Sequence, residues 1–220
     1  VYIYYSTDDC ETWNSRRVSD DLQTYKIAYS KGLGKFFCGQ YSSTDGINWT
    51  KTTEESVGNI FAVDTPNGSW LYAQPTGYGY YYLKSTDGIT WVETGAYGSA
   101  YFVCYCDKQN LVYLVGAYMN QINKIYVNKP DTEIYTEREF FGEDKLSNIS
   151  WSSELNLFIA VGGVSAGQGY SKYHIYTSVD GMNWERFPAS TLCHFIYAGF
   201  LKSFIGTEGA TLYFEGMENI

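Results

Sequence analysis

A seven-residue motif, Ser-x-Asp-Gly-x-x-Trp, occurs three times in this chain, and a looser copy lies near its start. The three close copies are Ser43–Trp49, Ser85–Trp91 and Ser178–Trp184, and the looser copy is Ser6–Trp13. In such a sequence the Asp carboxylate accepts hydrogen bonds from the next backbone N–H groups, and the Gly adopts the positive φ of a tight turn. The Trp then begins the returning strand and folds its ring onto the hairpin or into the core. The motif therefore predicts a series of similar β-hairpins.

A further, degraded copy fills the long interval between Trp91 and Trp184, which is about twice a blade-sized period of roughly 40–50 residues. There Asn128 replaces the Ser, Asp131 is kept, and Tyr135 replaces the Trp. Between one copy and the next lie two short apolar strands and a tyrosine-rich strand, and no helical periodicity separates them. In the third and fourth repeats the predicted strands are Ala100–Asp107, Leu111–Tyr118 and Lys124–Asn128, then Leu146–Ser153, Leu157–Gly163 and His174–Ser178.

Short sheets repeated at this period predict an all-β fold, a β-propeller of five four-stranded blades, with six possible. The chain begins and ends in similar strands, so we expect the N- and C-terminal strands to close the ring in one blade. The prediction is a single domain over residues 1–220, with repeats at about 14–49, 50–91, 92–135, 136–184 and 185–220, the last closing with 1–13.

Composition restricts the classes of partner. Hydrophobic residues make up 45% of the chain, so it is able to bury a sizeable core, and 23 tyrosines suit binding faces and sheet faces alike. The formal charge of −9 disfavours nucleic acid and anionic membranes as partners. No signal peptide or apolar run of membrane-spanning length occurs, so we expect a soluble protein without membrane insertion. The chain starts at Val1, which predicts that it is processed or a fragment.

The five cysteines are odd in number and irregularly spaced, unlike a disulfide framework. Cys104 and Cys106 lie two apart in an apolar strand, so both face one side of it. We expect free thiols in the core and synthesis in a reducing cytoplasm, with later export left open.

The motif copies resemble the Asp-box, or BNR repeat, of sialidases and of many non-sialidase propellers. In that family the Asp-box hairpins lie on the rim away from the active face and have a structural role. The resemblance therefore implies a structural role here for Ser6, Asp8, Trp13, Ser43, Asp45, Gly46, Trp49, Ser85, Asp87, Gly88, Trp91, Asp131, Tyr135, Ser178, Asp180, Gly181 and Trp184.

Sialidase activity itself is disfavoured. Family enzymes carry an arginine triad, a Tyr nucleophile assisted by Glu, and an Asp acid/base, whereas this chain has four arginines, two of them adjacent at Arg16 and Arg17. Arg186-Phe187-Pro188 only faintly matches the Arg-Ile-Pro signature of the family and follows a motif copy.

The rim opposite the motif copies is where we expect ligand binding. Gly-rich and tyrosine-rich loops there suit sugars or protein surfaces, and acidic pairs suit a cation or a polyhydroxylated ligand. A second interpretation stays open for each set. The tyrosine rings would pack between blades, and the acidic pairs would be solvated loop carboxylates. The candidate ligand-binding residues are Tyr78, Tyr80, Tyr97, Tyr118, Tyr170, Tyr173, Glu54, Glu55, Glu143 and Asp144, with no catalytic residue, metal or cofactor predicted.

The favoured hypothesis is a non-catalytic module that binds a cell-surface glycan or protein. Similar repeats occur in phage tail and bacterial surface proteins, which implies a virion or extracellular surface location and possible partner subunits of a virion or surface complex. The alternatives are a glycoside hydrolase that uses carboxylates on the same rim, and a scaffold for assembling another complex. Trp70 and Trp151 lie within predicted strands and are expected in the core.

Overall fold

A computed structural model describes residues 1–20, 24, 26–76, 81–97, 99–117, 124–139, 144–166, 169–189, 194–198, 203–208 and 211–215. All regular elements within these ranges are β-strands. The same ranges contain no helix that is long and apolar enough to cross a membrane.

The strands fall into two compact units, Val1–Tyr97 and Gly98–Ile220. The N-terminal unit contains one two-stranded sheet and two four-stranded antiparallel sheets. Their strands, each sheet in chain order, are β1 (Tyr2–Tyr5) and β2 (Asn14–Arg17); β3 (Ala28–Ser30), β4 (Lys35–Cys38), β5 (Tyr41–Ser43) and β6 (Thr50–Lys51); and β7 (Val57–Thr65), β8 (Gly68–Pro75), β9 (Tyr81–Ser85) and β10 (Val92–Tyr97).

The C-terminal unit contains two four-stranded antiparallel sheets and a three-stranded sheet. Their strands, in the same order, are β11 (Ser99–Cys106), β12 (Leu111–Ala117), β13 (Lys124–Asn128) and β14 (Thr136–Glu139); β15 (Asp144–Ser152), β16 (Leu157–Ala166), β17 (Gly169–Ser178) and β18 (Glu185–Ala189); and β19 (His194–Ala198), β20 (Ser203–Glu208) and β21 (Thr211–Glu215).

The predicted order of strands in a repeat is confirmed, because every complete sheet is a meander of four consecutive strands. The predicted strands of the third and fourth repeats match β11–β13 and β15–β17 to within a few residues, apart from the N-terminal extension of β17. The motif turn connects the third strand to the fourth, so each sheet takes its last strand from beyond the motif Trp. Among the described residues four sheets have four strands, and the choice between five and six blades stays a prediction.

Apolar side chains that alternate along the strands build a core in each unit. In the N-terminal unit Phe37, Leu71 and Trp91 pack together with Val57 and Ile60. In the C-terminal unit a cluster of described residues joins β11–β13 to β15–β17, and in it the ring centroids of Phe158 and Tyr113 lie 4.8 Å apart. Trp70 is buried, and Trp151 packs against this second cluster half-buried.

Three of the cysteines confirm the expectation of free thiols in the core. Cys38, Cys104 and Cys106 are unpaired and buried, and burial raises the pKa of the Cys38 thiol to about 11. Cys104 and Cys106 lie in one apolar cluster, as their spacing predicts. Cys10 is also free but exposed, and Cys193 lies outside the described residues.

Candidate functional site

The motif Ser and Asp form one compact hydrogen-bonded turn after the third strand of a sheet. The Ser43 hydroxyl donates to Asp45 Oδ1 over 2.9 Å and accepts the Gly46 N–H over 2.9 Å. Asp45 Oδ1 also accepts the backbone N–H groups of Ile47 and Asn48, at 2.8 and 2.7 Å. The carboxylate is thus committed to the turn.

The other two close copies repeat this geometry. Asp87 Oδ1 accepts the N–H groups of Ile89 and Thr90, and Asp180 Oδ1 accepts those of Met182 and Asn183. The φ angles of Gly46, Gly88 and Gly181 are 74°, 76° and 69°, the left-handed region in which glycine is favoured. These angles are what the sequence predicts for the turn.

The pKa of each motif carboxyl follows from these donors. The Asn48 N–H is the largest cause that holds the pKa of Asp45 below its usual range, and the Asn183 N–H does the same for Asp180. Burial opposes ionisation of Asp87, but the Ile89 and Thr90 N–H groups outweigh it and lower the pKa. The motif carboxyls are therefore ionised acceptors at neutral pH and not proton donors.

The first copy contains one extra residue and closes differently. The Ser6 hydroxyl accepts the Cys10 N–H over 2.9 Å, so Cys10 occupies the place of the motif glycine. Asp9 and Cys10 both have positive φ, 53° and 69°. The Thr12 hydroxyl is the largest cause that lowers the pKa of Asp8 to about 2.

The degraded copy keeps a turn without the carboxylate network. The Asn128 carboxamide donates to the Thr132 carbonyl over 3.3 Å, and the Thr132 N–H donates to the Lys129 carbonyl over 3.1 Å. Within the described residues no hydrogen bond reaches the Asp131 carboxylate. In this copy the residue that replaces Ser stabilises the turn.

The motif tryptophans adopt both predicted placements, in the core and on the hairpin. Trp13 adopts a third placement, exposed to solvent, which was not predicted. Trp91 is buried in the core of its unit, while Trp49 donates from Nε1 to the Gly46 carbonyl over 3.0 Å and so folds onto the hairpin. Trp184 packs against Phe158 at 5.9 Å between ring centroids. Trp13 is 60% exposed, and Tyr135 in the degraded copy is half-buried.

Two motif turns, those that contain Gly88 and Gly181, also contact the complete sheet that precedes them in the same unit. The sequence did not indicate this contact. A Cβ on Gly88 would lie 2.3 Å from the Phe37 ring, and one on Gly181 would lie 2.5 Å from the Tyr113 hydroxyl. Residues in or just after the fourth strand of the preceding sheet also donate hydrogen bonds to these glycines. Thr52 Oγ1 donates to the Gly88 carbonyl, and Arg138 donates to the Gly181 carbonyl, both over 3.4 Å. The motif is thus a sheet-to-sheet contact as well as a hairpin turn.

A second sheet-to-sheet contact rests on Asp64, which sequence reasoning missed. Its carboxylate accepts the Ser30 and Ser69 hydroxyls, each over 2.6 Å, and the Lys31 and Gly32 N–H groups, at 2.7 and 3.2 Å. Asp64 lies near the end of β7, and its partners Ser30, Lys31 and Gly32 lie in a turn more than 30 residues earlier. No local pattern indicates such a contact.

Neighbouring strands of each sheet run in opposite directions. The loops that contain the predicted binding residues therefore connect to the end of the sheet that lies away from the motif turn. We call the two ends of a sheet the motif end and the opposite end. At the opposite end, β8 ends at Pro75 and β9 begins at Tyr81. Tyr78, Tyr80, Tyr118 and Glu143 lie outside the described residues, and for Tyr97 and Tyr170 only the backbone is described.

Four of the predicted binding residues, Glu54, Glu55, Tyr173 and Asp144, have described side chains toward the opposite end. Glu54 and Glu55 follow β6 with exposed side chains, and their carbonyls accept the Gln40 carboxamide at 3.3 and 2.9 Å. Glu54 also forms an exposed ion pair with Lys51. Tyr173 lies half-buried within β17, between Gly163 and Ala189 of the neighbouring strands.

Asp144 begins β15 and is 2% exposed, in contrast to the glutamates. Its Oδ2 atom lies 3.0 Å from His174 Nδ1 and 3.4 Å from Arg186 Nη1, and it accepts the Tyr176 hydroxyl. Burial first, and then the Asp144 carboxylate, raise the pKa of Tyr176. This carboxylate is engaged by protein groups in the structure, so any ligand-binding role for it stays a prediction.

No group of three or more His, Cys, Asp or Glu side chains that could hold a metal ion occurs among the described residues. The site predictions as a set remain predictions.

Comparison with known proteins identifies the fold and no family. No family model matches the sequence, and no curated protein sequence matches it. Among solved structures, YCF48 from Cyanidioschyzon merolae is 17% identical, with a TM-score of 0.62 over 97% of this chain and 74% of that one. A structure of YCF48 bound to D1 peptide is 13% identical, with a TM-score of 0.56 over 97% of this chain and 75% of that one.

Two enzymes share the fold over shorter parts of their length. Kuenenia stuttgartiensis hydrazine synthase is 13% identical, with a TM-score of 0.59 over 82% of this chain, which spans 60% of that chain. A GH43 β-1,3-galactosidase is 14% identical, with a TM-score of 0.53 over 82% of this chain, which spans 51% of that chain. Together with the repeated antiparallel sheets, these similarities define an all-β protein of the β-propeller class.

Proposed function

We propose that this chain is a non-catalytic recognition propeller that binds a cell-surface protein or glycan through the opposite ends of its sheets. The sheet topology carries the proposal. In three of the four complete sheets the motif end is occupied by a turn whose Asp carboxylate accepts backbone N–H groups. The opposite end is where the strands flank the Gly-rich, tyrosine-rich and acidic sequences.

The propeller neighbours support binding as the general role. The structure of YCF48 with D1 peptide is a propeller that holds a peptide, and its fold matches 97% of this chain. Tyrosine side chains supply large contact areas at low conformational-entropy cost, which suits a protein or a glycan partner. The charge of −9 argues for a partner that is not strongly acidic.

The proposal includes an Asp-box identity for the motif and a place in a phage tail or bacterial surface assembly. The turn geometry of the three close copies supports the first part, and the buried free thiols of Cys38, Cys104 and Cys106 support synthesis in a reducing cytoplasm. Assembly with other subunits of such a particle, as a scaffold, is the corresponding alternative.

Binding of the purified protein to a panel of bacterial strains, measured by flow cytometry, tests this function. We expect binding that is lost after the cells are treated with protease, for a protein receptor, or with periodate, for a glycan. The double variant Tyr78→Ser, Tyr80→Ser should weaken binding at least tenfold. Ile134→Ser, which changes a 77% exposed residue near the motif end, is the matched control and should bind normally.

The galactosidase neighbour favours glycoside hydrolysis as the second candidate function. Release of reducing sugar from surface polysaccharide, abolished by Glu54→Gln, would replace the binding proposal with this one. Failure to bind any strain, with a stable protein complex in solution, would instead favour the scaffold.

A further inference from the structure

We propose that a cavity of about 670 Å³ at the motif end of the N-terminal unit binds a neutral sugar residue. Its walls are the β3–β4 turn, the β7–β8 hairpin and Thr86 of the second close motif copy. This site lies at the other end of the sheets from the proposed receptor-binding surface and does not depend on it.

The walls of the cavity are held in fixed positions before any ligand arrives. Asp64 bonds the backbone N–H groups of Lys31 and Gly32 on one wall and the Ser69 hydroxyl on the other. The two walls approach so closely that a Cβ on Gly32 would lie 1.9 Å from Ser69 Oγ. Such preorganisation removes part of the entropy cost of binding.

The polar groups that remain in the cavity suit hydroxyl groups. Within the described residues, the side chains of Lys31, Asn67 and Thr86 have no hydrogen-bond partner, and all three are exposed. An ammonium donates, whereas a carboxamide and a hydroxyl both donate and accept. Sugar hydroxyls also donate and accept, so they match this set. The apolar part of the lining, from Leu33, Pro66 and Trp70, suits the C–H face of a pyranose ring.

The charge of the lining favours a neutral ligand over an acidic one. Among the described residues that line the cavity, Lys31 and Asp64 are the only charged side chains, and their charges are opposite. The Asp64 carboxylate already accepts four protein hydrogen bonds, so a ligand gains little from it. The volume falls in the range of about 300–1,000 Å³ that is usual for small-molecule sites. A single sugar residue or a short oligosaccharide end therefore fits both the size and the charge.

Titration of the whole chain with galactose, N-acetylglucosamine and N-acetylneuraminic acid, followed by ligand-detected NMR and tryptophan fluorescence, tests the site. We expect saturable binding of a neutral sugar, preferred over the acidic one. Asn67→Ala and Thr86→Val should each weaken that binding about fivefold, the loss of about one hydrogen bond. Melting temperatures of both variants should stay unchanged, because the two side chains are exposed.

Thr44→Val is the matched control, since Thr44 holds the same position in the first close motif copy and does not line the cavity. It should bind like the unmodified chain, and so should Tyr78→Ser, Tyr80→Ser, which separates this site from the proposed receptor surface. Absence of saturable binding, tighter binding of N-acetylneuraminic acid, or equal binding by all variants would overturn the proposal. Binding of a short peptide at this cavity, and of no sugar, would also overturn it.

Discussion

Cys10 adopts a backbone conformation that costs free energy for any residue with a Cβ. It replaces the motif glycine in the first copy, with φ 69°, and its N–H donates to the Ser6 hydroxyl. The left-handed region costs an L-residue about 1–2 kcal/mol. Replacement by glycine recovers only part of this free energy, because the unfolded chain is more flexible at a glycine. We therefore expect Cys10→Gly to raise the free energy of unfolding of the β1–β2 hairpin by about 0.5–1 kcal/mol, measured by hydrogen exchange of the hairpin amides under reducing conditions.

Cys10→Ala serves as the control at this position, because it removes the thiol and keeps the strained φ. It should leave protection unchanged. A gain from alanine equal to that from glycine would show that the thiol, and not the backbone, determines the stability of this turn.

At the scale of the element, the motif glycines differ in what surrounds them although their turns are alike. A Cβ on Gly88 would lie 2.3 Å from the buried Phe37 ring, and one on Gly181 would lie 2.5 Å from the hydroxyl of buried Tyr113, whereas one on Gly46 would have Phe36 as its nearest neighbour at 3.7 Å. Gly46→Ala should thus cost only the backbone strain, about 1–2 kcal/mol. Gly88→Ala and Gly181→Ala should cost about 2–5 kcal/mol, because overpacking adds about 1–3 kcal/mol.

Chemical denaturation of the three variants measures this difference. Equal losses of stability in all three would mean that the motif acts through its own turn alone and that the contact with the preceding sheet contributes nothing. Gly46→Ala is the internal reference, since its φ of 74° is nearly that of Gly88.

Elements with a local sequence cause were the ones that could be predicted. The motif spacing predicted the hairpins, the strand order within a sheet and the positive φ of Gly46, because turn chemistry depends on neighbouring residues. The contacts of Asp64 with Ser30 and of Asp144 with Tyr176 could not be predicted in this way, since the partners are more than 30 residues apart in the chain. The exposure of Trp13 could not be predicted either, because a Trp that begins a strand has the same neighbours in the sequence whether or not another sheet covers it.

At the scale of the whole molecule, the prediction of one closed domain depends on what covers the β1–β2 sheet. Tyr4 lies two residues before the motif Ser and is 66% exposed. The residues at the same position in the β9, β13 and β17 strands, Leu83, Tyr126 and Tyr176, are all buried. Closure of the chain by its N- and C-terminal strands, as the sequence predicts, would bury Tyr4 in the same way.

Tyr4→Ser therefore tests the closed single domain. If the domain is closed, this variant should lower the free energy of unfolding by about 2–4 kcal/mol, as expected for loss of a buried aromatic side chain, and approach the effect of Tyr126→Ser. Tyr2→Ser is the control, because Tyr2 is 58% exposed and its equivalent in β9, Tyr81, is 39% exposed, so its effect should stay within about 0.5 kcal/mol. A Tyr4→Ser variant as stable as Tyr2→Ser would contradict closure, because a side chain that loses nothing on truncation is not covered by another sheet.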